Sequence, residues 1–226
     1  MTPPPQSAGR ITAVAPGSLA AQLGVRPGDE LLAINGVPCD DVIDVQYYAA
    51  EDRVELTVQR NGERLTLAGD RGEGQPLGLE FAHPTFDIDI RRCNNRCEFC
   101  FVLQMAPRMR RTLYIKDDDY RYSFLFGHYV TLTNLSEHDW WRITTQRLSP
   151  LYVSVHATDR ALRRAILRNP DAPDVREQIQ ELGAYHITVH TQLVITPGVN
   201  DGLHMEQSVR ELAALWPTVQ SVSVVP

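Results

Sequence analysis

The chain is short of positive charge, long apolar runs and cysteine, and each shortage narrows what it can be. Lysine and arginine total 22 against 28 acids, a net charge of −6. That balance gives no global electrostatic hold on phosphate, so nucleic acid is not the expected partner unless a local basic patch supplies the grip. No stretch approaches the ~20 consecutive apolar residues of a membrane helix. The start, MTPPPQSAGR, lacks the apolar core of a signal peptide, so no membrane role is expected and the expected compartment is the cytoplasm. No repeat stands out, and residues 1–8, rich in proline, are expected to be disordered.

Only four cysteines occur, and three of them, Cys93, Cys97 and Cys100, fall within eight residues while Cys39 is remote. A disulfide framework would spread its cysteines to close long loops, so an isolated cluster points to metal or redox chemistry. Cys39 reads as a buried, inert thiol.

What the chain does have is 226 residues, 43% of them hydrophobic, enough for one large domain or two modest ones. GDRGEGQP at 69–76 concentrates glycine, proline and charge, which places a linker over 69–84. Before it, strands are expected at 11–14, 30–34, 54–58 and 64–67, the last two as a hairpin through Asn61-Gly62, with a helical turn at 18–23 and a helix at 41–49. After it, strands at 129–133, 151–155, 187–195 and 219–225 alternate with helices at 137–147, 160–167, 175–182 and 205–215. Ser136, Thr158 and Asp174 are the expected N-caps. Such alternation predicts an α/β unit with a parallel sheet and right-handed crossovers.

The run PGSLAAQLGVRPGDELLAINGVP sets glycines where the backbone needs positive φ. Through Pro16-Gly17-Ser18, Ala20-Ala21, Gly24, Pro27-Gly28-Asp29, Leu31 and Ile34-Asn35-Gly36, residues 9–68 resemble a bacterial PDZ domain. The resemblance implies a peptide or protein partner added as a strand to a sheet edge. A Gly-Leu-Gly-Phe-type carboxylate loop is not visible, and a packing or docking role is the alternative.

FDIDIRRCNNRCEFCF sets an alternating apolar segment, Phe86, Ile88 and Ile90, expected as a strand, before a CxxxCxxC loop. Thiolates select iron-sulfur clusters or zinc, and three without an obvious fourth suggest an open coordination position. A zinc site completed by His128, His156 or His190 is the alternative. CNNRCEFCF, with Phe99 before the third cysteine, resembles the signature of the radical S-adenosylmethionine (SAM) superfamily. The resemblance implies that Cys93, Cys97 and Cys100 hold a 4Fe-4S cluster and that SAM occupies its fourth iron. Reductive cleavage of SAM then yields a 5′-deoxyadenosyl radical that abstracts hydrogen from a substrate. The further runs MRRTLYIKDDDYRYSFLFGHYVTLTNL, RLSPLYVSVHATD and QLVITPGVNDG resemble proteins joining a PDZ domain, a radical SAM domain and a domain of unknown function, DUF 512, labelled iron-sulfur oxidoreductases. That likeness implies a partial (β/α) barrel over 85–226, ending after a fifth strand where a radical SAM core usually has six, and truncated relative to those proteins.

At matching strand ends the resemblance implies cofactor contacts. Thr131, Thr133 and above all Asn134 fall where the SAM amino group is held, and Ser154, His156 and Gln192, with His190 as a weaker candidate, where ribose and carboxylate are held. Phe99 falls beside adenine. The Asp117 to Asp119 acids read either as a hard-cation or substrate-amine site or as a solvated charge run. Arg108 to Arg111 read as phosphate-binding or as surface ion pairs, and the turn 197–202 as shaping the barrel mouth. The substrate is not legible. Oxidation, methylthiolation, rearrangement or modification of RNA or peptide all fit hydrogen abstraction. A PDZ peptide-binding scaffold whose degenerate barrel carries a structural metal is the second reading, and a tRNA-modifying enzyme the third.

Overall fold

A computed structural model of the chain describes residues 8–87 and 90–226. The expected disorder of the first residues therefore concerns a stretch that, but for residue 8, lies outside the described residues. The chain divides between residues 89 and 90 into two compact units.

The first unit is built on an antiparallel sheet. Its strands are β1 (Gly9–Val14), β2 (Glu30–Ile34), β3 (Val37–Pro38), β4 (Arg53–Arg60), β5 (Glu63–Asp70) and β6 (Leu79–Phe81), in the order β5-β4-β2-β1-β6 with β3 beside β2. The hairpin β4-β5 turns on Asn61-Gly62, both at positive φ, as a tight turn of that twist requires. Two short helices, α1 (Leu19–Gln22) and α2 (Val42–Tyr48), start on side-chain caps: Ser18 accepts from the Ala21 N–H, and Asp41 from those of Ile43 and Asp44. Alternate residues Val54, Leu56 and Val58 enter a core with Ile11, Leu19, Leu31 and Ile34. Cys39 is buried there, and burial, then Asp44, pushes its thiol up to about 12.

Residues 69–84 are folded. Strand β5 runs through Asp70, the Arg71 guanidinium donates to the Ala49 and Gln75 carbonyls, and β6 pairs with β1. Glycine and proline here supply turns between paired strands: Gly78 stands at φ +77°, and a Cβ on it would lie 2.2 Å from that of Ser18. Phe86 departs from its expected place on a strand leading to the cysteines. It closes the first unit's core against Phe81, ring centroids 4.8 Å apart, because Gly9 leaves the room that a Cβ would take from its ring. Ile88, the middle of that expected strand, lies outside the described residues.

The second unit contains α3 (Tyr120–Phe126), α4 (Glu137–Thr145), β7 (Leu151–Ser154), α5 (Arg160–Leu167), α6 (Val175–Ala184), β8 (Val189–Val194), α7 (Gly202–Ala213) and β9 (Val219–Val225). Strands β7, β8 and β9 pair in parallel in that order, and among the described residues they form an open sheet rather than a closed barrel. Leu151, Val153, Val189, Thr191 and Leu193 are buried. The in-register residues Ser154 and Gln192 belong to the opposite, more polar face.

The strand expected at 129–133 contracts to a single parallel bridge, Val130 to Val153. Leu132 takes φ +58°, and both the N–H and the hydroxyl of Thr131 are committed to Asp118, so the ladder stops there. Helix α5 has the expected bounds, but its cap is Asp159 rather than Thr158, whose backbone N–H and hydroxyl instead bond Ser208. Helix α3 was not expected. Its cap Asp119 also pairs with Arg121 at 2.7 Å, with both side chains fully buried.

Candidate cofactor site

The three cysteines lie on one loop that begins just after Arg92, whose backbone bridges to Asp117. The Cys93 N–H donates to the Lys116 carbonyl at 2.8 Å, the Arg96 N–H to the Leu167 carbonyl at 2.8 Å, and the Cys100 N–H to the Cys97 carbonyl at 3.2 Å. Cys97 is buried against Leu167 and Ala172, with Phe99 and Cys100 packed on the same cluster.

Asn95, 1% exposed, organises the loop. Its Nδ2 donates to Thr131 Oγ1 and Thr133 Oγ1, each at 2.9 Å, and lies 3.3 Å from the Cys93 sulfur. Its Oδ1 accepts from Asn169 at 2.9 Å. Its carbonyl accepts from Lys116, the only lysine in the chain. One amide thus joins the cysteine loop to the residues after Val130 and to the segment following α5. Sequence reasoning missed Asn95, although a polar residue inside the cysteine motif was the signal to follow.

The electrostatics suit a cationic guest. Burial first, then the neighbouring Cys93 and Cys100, push the Cys97 thiol up to about 11. Burial and Asp118 raise Cys93 as well. The protonated thiols are therefore favoured until a metal supplies positive charge.

Thr133 Oγ1 donates to Asn94 at 2.8 Å and lies 2.8 Å from Thr131 Oγ1. Asn134 donates through Nδ2 to the carbonyls of Arg92 and Asp118, while its Oδ1 is buried without a hydrogen-bond partner among the described residues. Ser154 and Gln192 stand in register at the carboxyl ends of β7 and β8. His156 packs edge-on against Phe99, ring centroids 4.8 Å apart. Burial, then Arg163, pushes its imidazole down to about 3, and its Nδ1 accepts from the Val194 N–H. His156 is therefore neutral, with its proton on Nε2. Phe99 also lines a cavity of about 130 Å³ with Glu98, Ala165, Ile166, Thr196 and Val199. His190 is directed elsewhere: it stacks on Tyr152 and bonds Ser221 at 2.8 Å.

Beneath these strand ends lies Arg163, also missed. It donates to the carbonyls of Thr131, Ser154, Val155 and Pro173, and burial pulls its guanidinium down to about 10. In the turn 197–202, Asn200 donates to the carbonyls of His156 and Val194, each at 2.8 Å, and fixes the exit of β8 to that of β7.

The profile of the Radical SAM-like domain matches residues 71–222. The chain belongs to the radical SAM-like family. A PDZ domain profile matches residues 10–60, in agreement with the strand-rich first unit. No curated protein matches the chain.

The acidic run of this radical SAM-like chain is neither a cation site nor a solvated face. Asp118 and Asp119 are buried. Asp118 accepts twice from Thr131, and burial, only partly offset by those bonds, raises its carboxyl. Burial also works to raise Asp119, but Arg121 outweighs it and the net shift is down. Asp117 stays exposed and pairs with His128.

Thiolates suit zinc and an iron-sulfur cluster alike, and the two ask for different spacings of the sulfurs. Zn–S bonds of about 2.3 Å would draw three sulfurs to within about 4 Å of one another. Among the described residues no group of three or more histidine, cysteine or acidic side chains is placed to hold a single metal ion. Cys93 and Cys100 lie near enough to Cys97 to raise its thiol, and all three stand free on a loop clamped from several sides, a thiolate set of the kind that holds an iron-sulfur cluster.

Proposed function

We propose that the chain acts as a radical SAM enzyme of the oxidoreductase type, in which Cys93, Cys97 and Cys100 hold a 4Fe-4S cluster beside bound SAM. The observation that carries this reading is the placement of three free thiols on one clamped loop, with the unpartnered acceptor Asn134 Oδ1 next to it. When bound, the pair supplies reductive cleavage of the sulfonium bond, giving methionine and a 5′-deoxyadenosyl radical for hydrogen abstraction from a substrate not yet identified.

The chain's own residues hold and orient. Asn134 Oδ1 accepts from the SAM amino group, which removes the desolvation penalty of a buried lone acceptor. Thr133, already pinned by Asn94 and Asn95, shapes that corner. Phe99, with Ile166 and Val199 in the same cavity, covers the adenine, while Ser154, Gln192 and the Nε2–H of neutral His156 offer polar contacts to ribose and carboxylate. On this reading β7, β8, β9 and the Val130 bridge are successive strands of a partial (β/α) barrel, with the site at their carboxyl ends.

Anaerobic reconstitution tests the proposal. Iron and sulfide should bind, and the electron paramagnetic resonance of the reduced sample should shift on adding SAM and vanish in Cys97→Ala. Zinc without iron, or a signal indifferent to SAM, overturns it.

A second reading, peptide capture by the first unit, rests on a separate observation. A cavity of about 290 Å³ lies between α2 and the entry to edge strand β6, lined by Val45, Gln46, Ala49, Arg71 and 76–79. An edge strand beside an apolar pocket and a guanidinium suits strand addition with carboxylate capture. Titration with C-terminal peptides, weakened by Arg71→Ala, is the expected result. Equal affinity for amidated peptides removes this reading.

A further inference from the structure

Lys116 is the only lysine among the chain's 22 lysines and arginines, and it stands at the thiols. Its carbonyl accepts from the Cys93 N–H at 2.8 Å, and its half-buried side chain donates back to the Asn95 carbonyl. The two contacts run in opposite directions between the same stretches of chain, so the ammonium is fixed against the cysteine loop. Asn95 in turn brings Nδ2 within 3.3 Å of the Cys93 sulfur. Burial, then Asp118, raises the Cys93 thiol, and the N–H groups of Asn95 and then Lys116 oppose them. At Cys97 burial, Cys93 and Cys100 raise the thiol, and Lys116 is again among the opposing groups. One cation thus bears on two sulfurs. Of the acids in 93–119, Glu98 pairs with Arg168, Asp117 with His128 and Asp119 with Arg121, while Asp118, bonded twice by Thr131, is the one that bears on Cys93.

Resting on the radical SAM reading, we infer that Lys116, fixed on the loop through Asn95, raises the reduction potential of the cluster held by Cys93, Cys97 and Cys100. Uptake of one electron adds one negative charge behind the sulfurs that the ammonium and the Asn95 amide face. Both groups therefore favour the reduced state over the oxidised one, and net charge and hydrogen bonds at the sulfurs are among the terms that set such potentials. A half-buried ammonium is also screened less by salt than a surface charge. No bond forms or breaks, and the electron comes from an external low-potential reductant.

The test is a redox titration of the full reconstituted chain without SAM, with dithionite as reductant and electron paramagnetic resonance of the reduced cluster as readout. Lys116→Gln keeps a donor for the Asn95 carbonyl but loses the charge. At the solution potential that half-reduces wild type, its reduced-to-oxidised ratio should be about tenfold lower, a midpoint about 59 mV lower for one electron. Lys116→Glu should fall further, and Lys116→Arg should stay within about twofold of wild type. The single lysine allows a second route, applied after folding and loading. Acetylation of the loaded wild type neutralises Lys116 and the terminal amine, and Lys116→Arg treated alike controls for the terminus. The ratio should fall about tenfold in acetylated wild type and hold in acetylated Lys116→Arg. Equal midpoints in wild type, Lys116→Gln and acetylated wild type overturn the inference, as does a Lys116→Arg midpoint as low as that of Lys116→Gln. A wild type that binds no iron refutes the radical SAM reading and the inference together, whereas a loaded wild type with unshifted variants refutes the inference alone.

Discussion

Asp118 accepts both the backbone N–H and the hydroxyl of Thr131, each at 2.6 Å, and so ends one strand where the cysteine loop is anchored. Replacing Asp118 with alanine strands two buried donors. The expected loss is about 2 kcal/mol or more in denaturant unfolding of the second unit, with Asp118→Asn, which keeps an acceptor, losing less. Equal stability of the two variants contradicts this account.

Asn95→Ala removes the link between loop, strand end and the segment after α5 at once. We expect the reconstituted variant to lose iron at least about tenfold faster on dilution into chelator, since supporting contacts of this kind govern metal affinity by about 10- to 100-fold. Asn95→Asp, which forfeits the donor to both threonines but retains the acceptor for Asn169, should fall between. Wild-type retention of iron in Asn95→Ala would remove Asn95 from the site.

A pH dependence is written into the first unit. Arg60 donates to both carboxylate oxygens of Asp29 at 2.7 Å, and this pairing holds the Asp29 carboxyl below its ordinary value. A carboxyl depressed on folding contributes stability that is complete above its unfolded pKa of about 3.9 and is lost as pH falls through the folded value. Melting curves from pH 6 to pH 2.5 should show wild type losing this contribution, while Arg60→Gln starts less stable and falls less steeply over the same window. Parallel curves argue against the pairing.

Gly78→Ala should destabilise the first unit by about 2 kcal/mol or more, because it meets positive φ and a close Ser18 side chain together. Thermal unfolding measures it. Gly17→Ala, at a similar φ with open space around it, separates the backbone cost from the clash.

Much of this was legible in the chain. Helix α5 was readable residue for residue because its apolar positions recur with the helical period, and β7, β8 and β9 because runs of valine, isoleucine and threonine announce buried strands. The cysteine loop announced itself by spacing. What stayed hidden were groups that satisfy one another out of water. KDDDYRY looks like a solvated charge run, yet Asp119 and Arg121 bury each other and open helix α3. Asn169 and Arg163 carry no pattern, since an isolated polar residue looks the same whether water or a carbonyl is its partner, and Asn95 was marked only by its place inside the cysteine motif. The turn residues of 69–84 announced breaks without disclosing that β6 lay between them.

Arg163 grips carbonyl oxygens only, and every peptide unit has one regardless of its side chain. Its hold on the main chain at Thr131, Ser154, Val155 and Pro173 is therefore blind to residue type. Mutations at the mouth can exchange the groups offered to a ligand while the frame that aims them stays in place. A lineage retaining this one arginine could explore new chemistry at those four positions without first having to rebuild the scaffold.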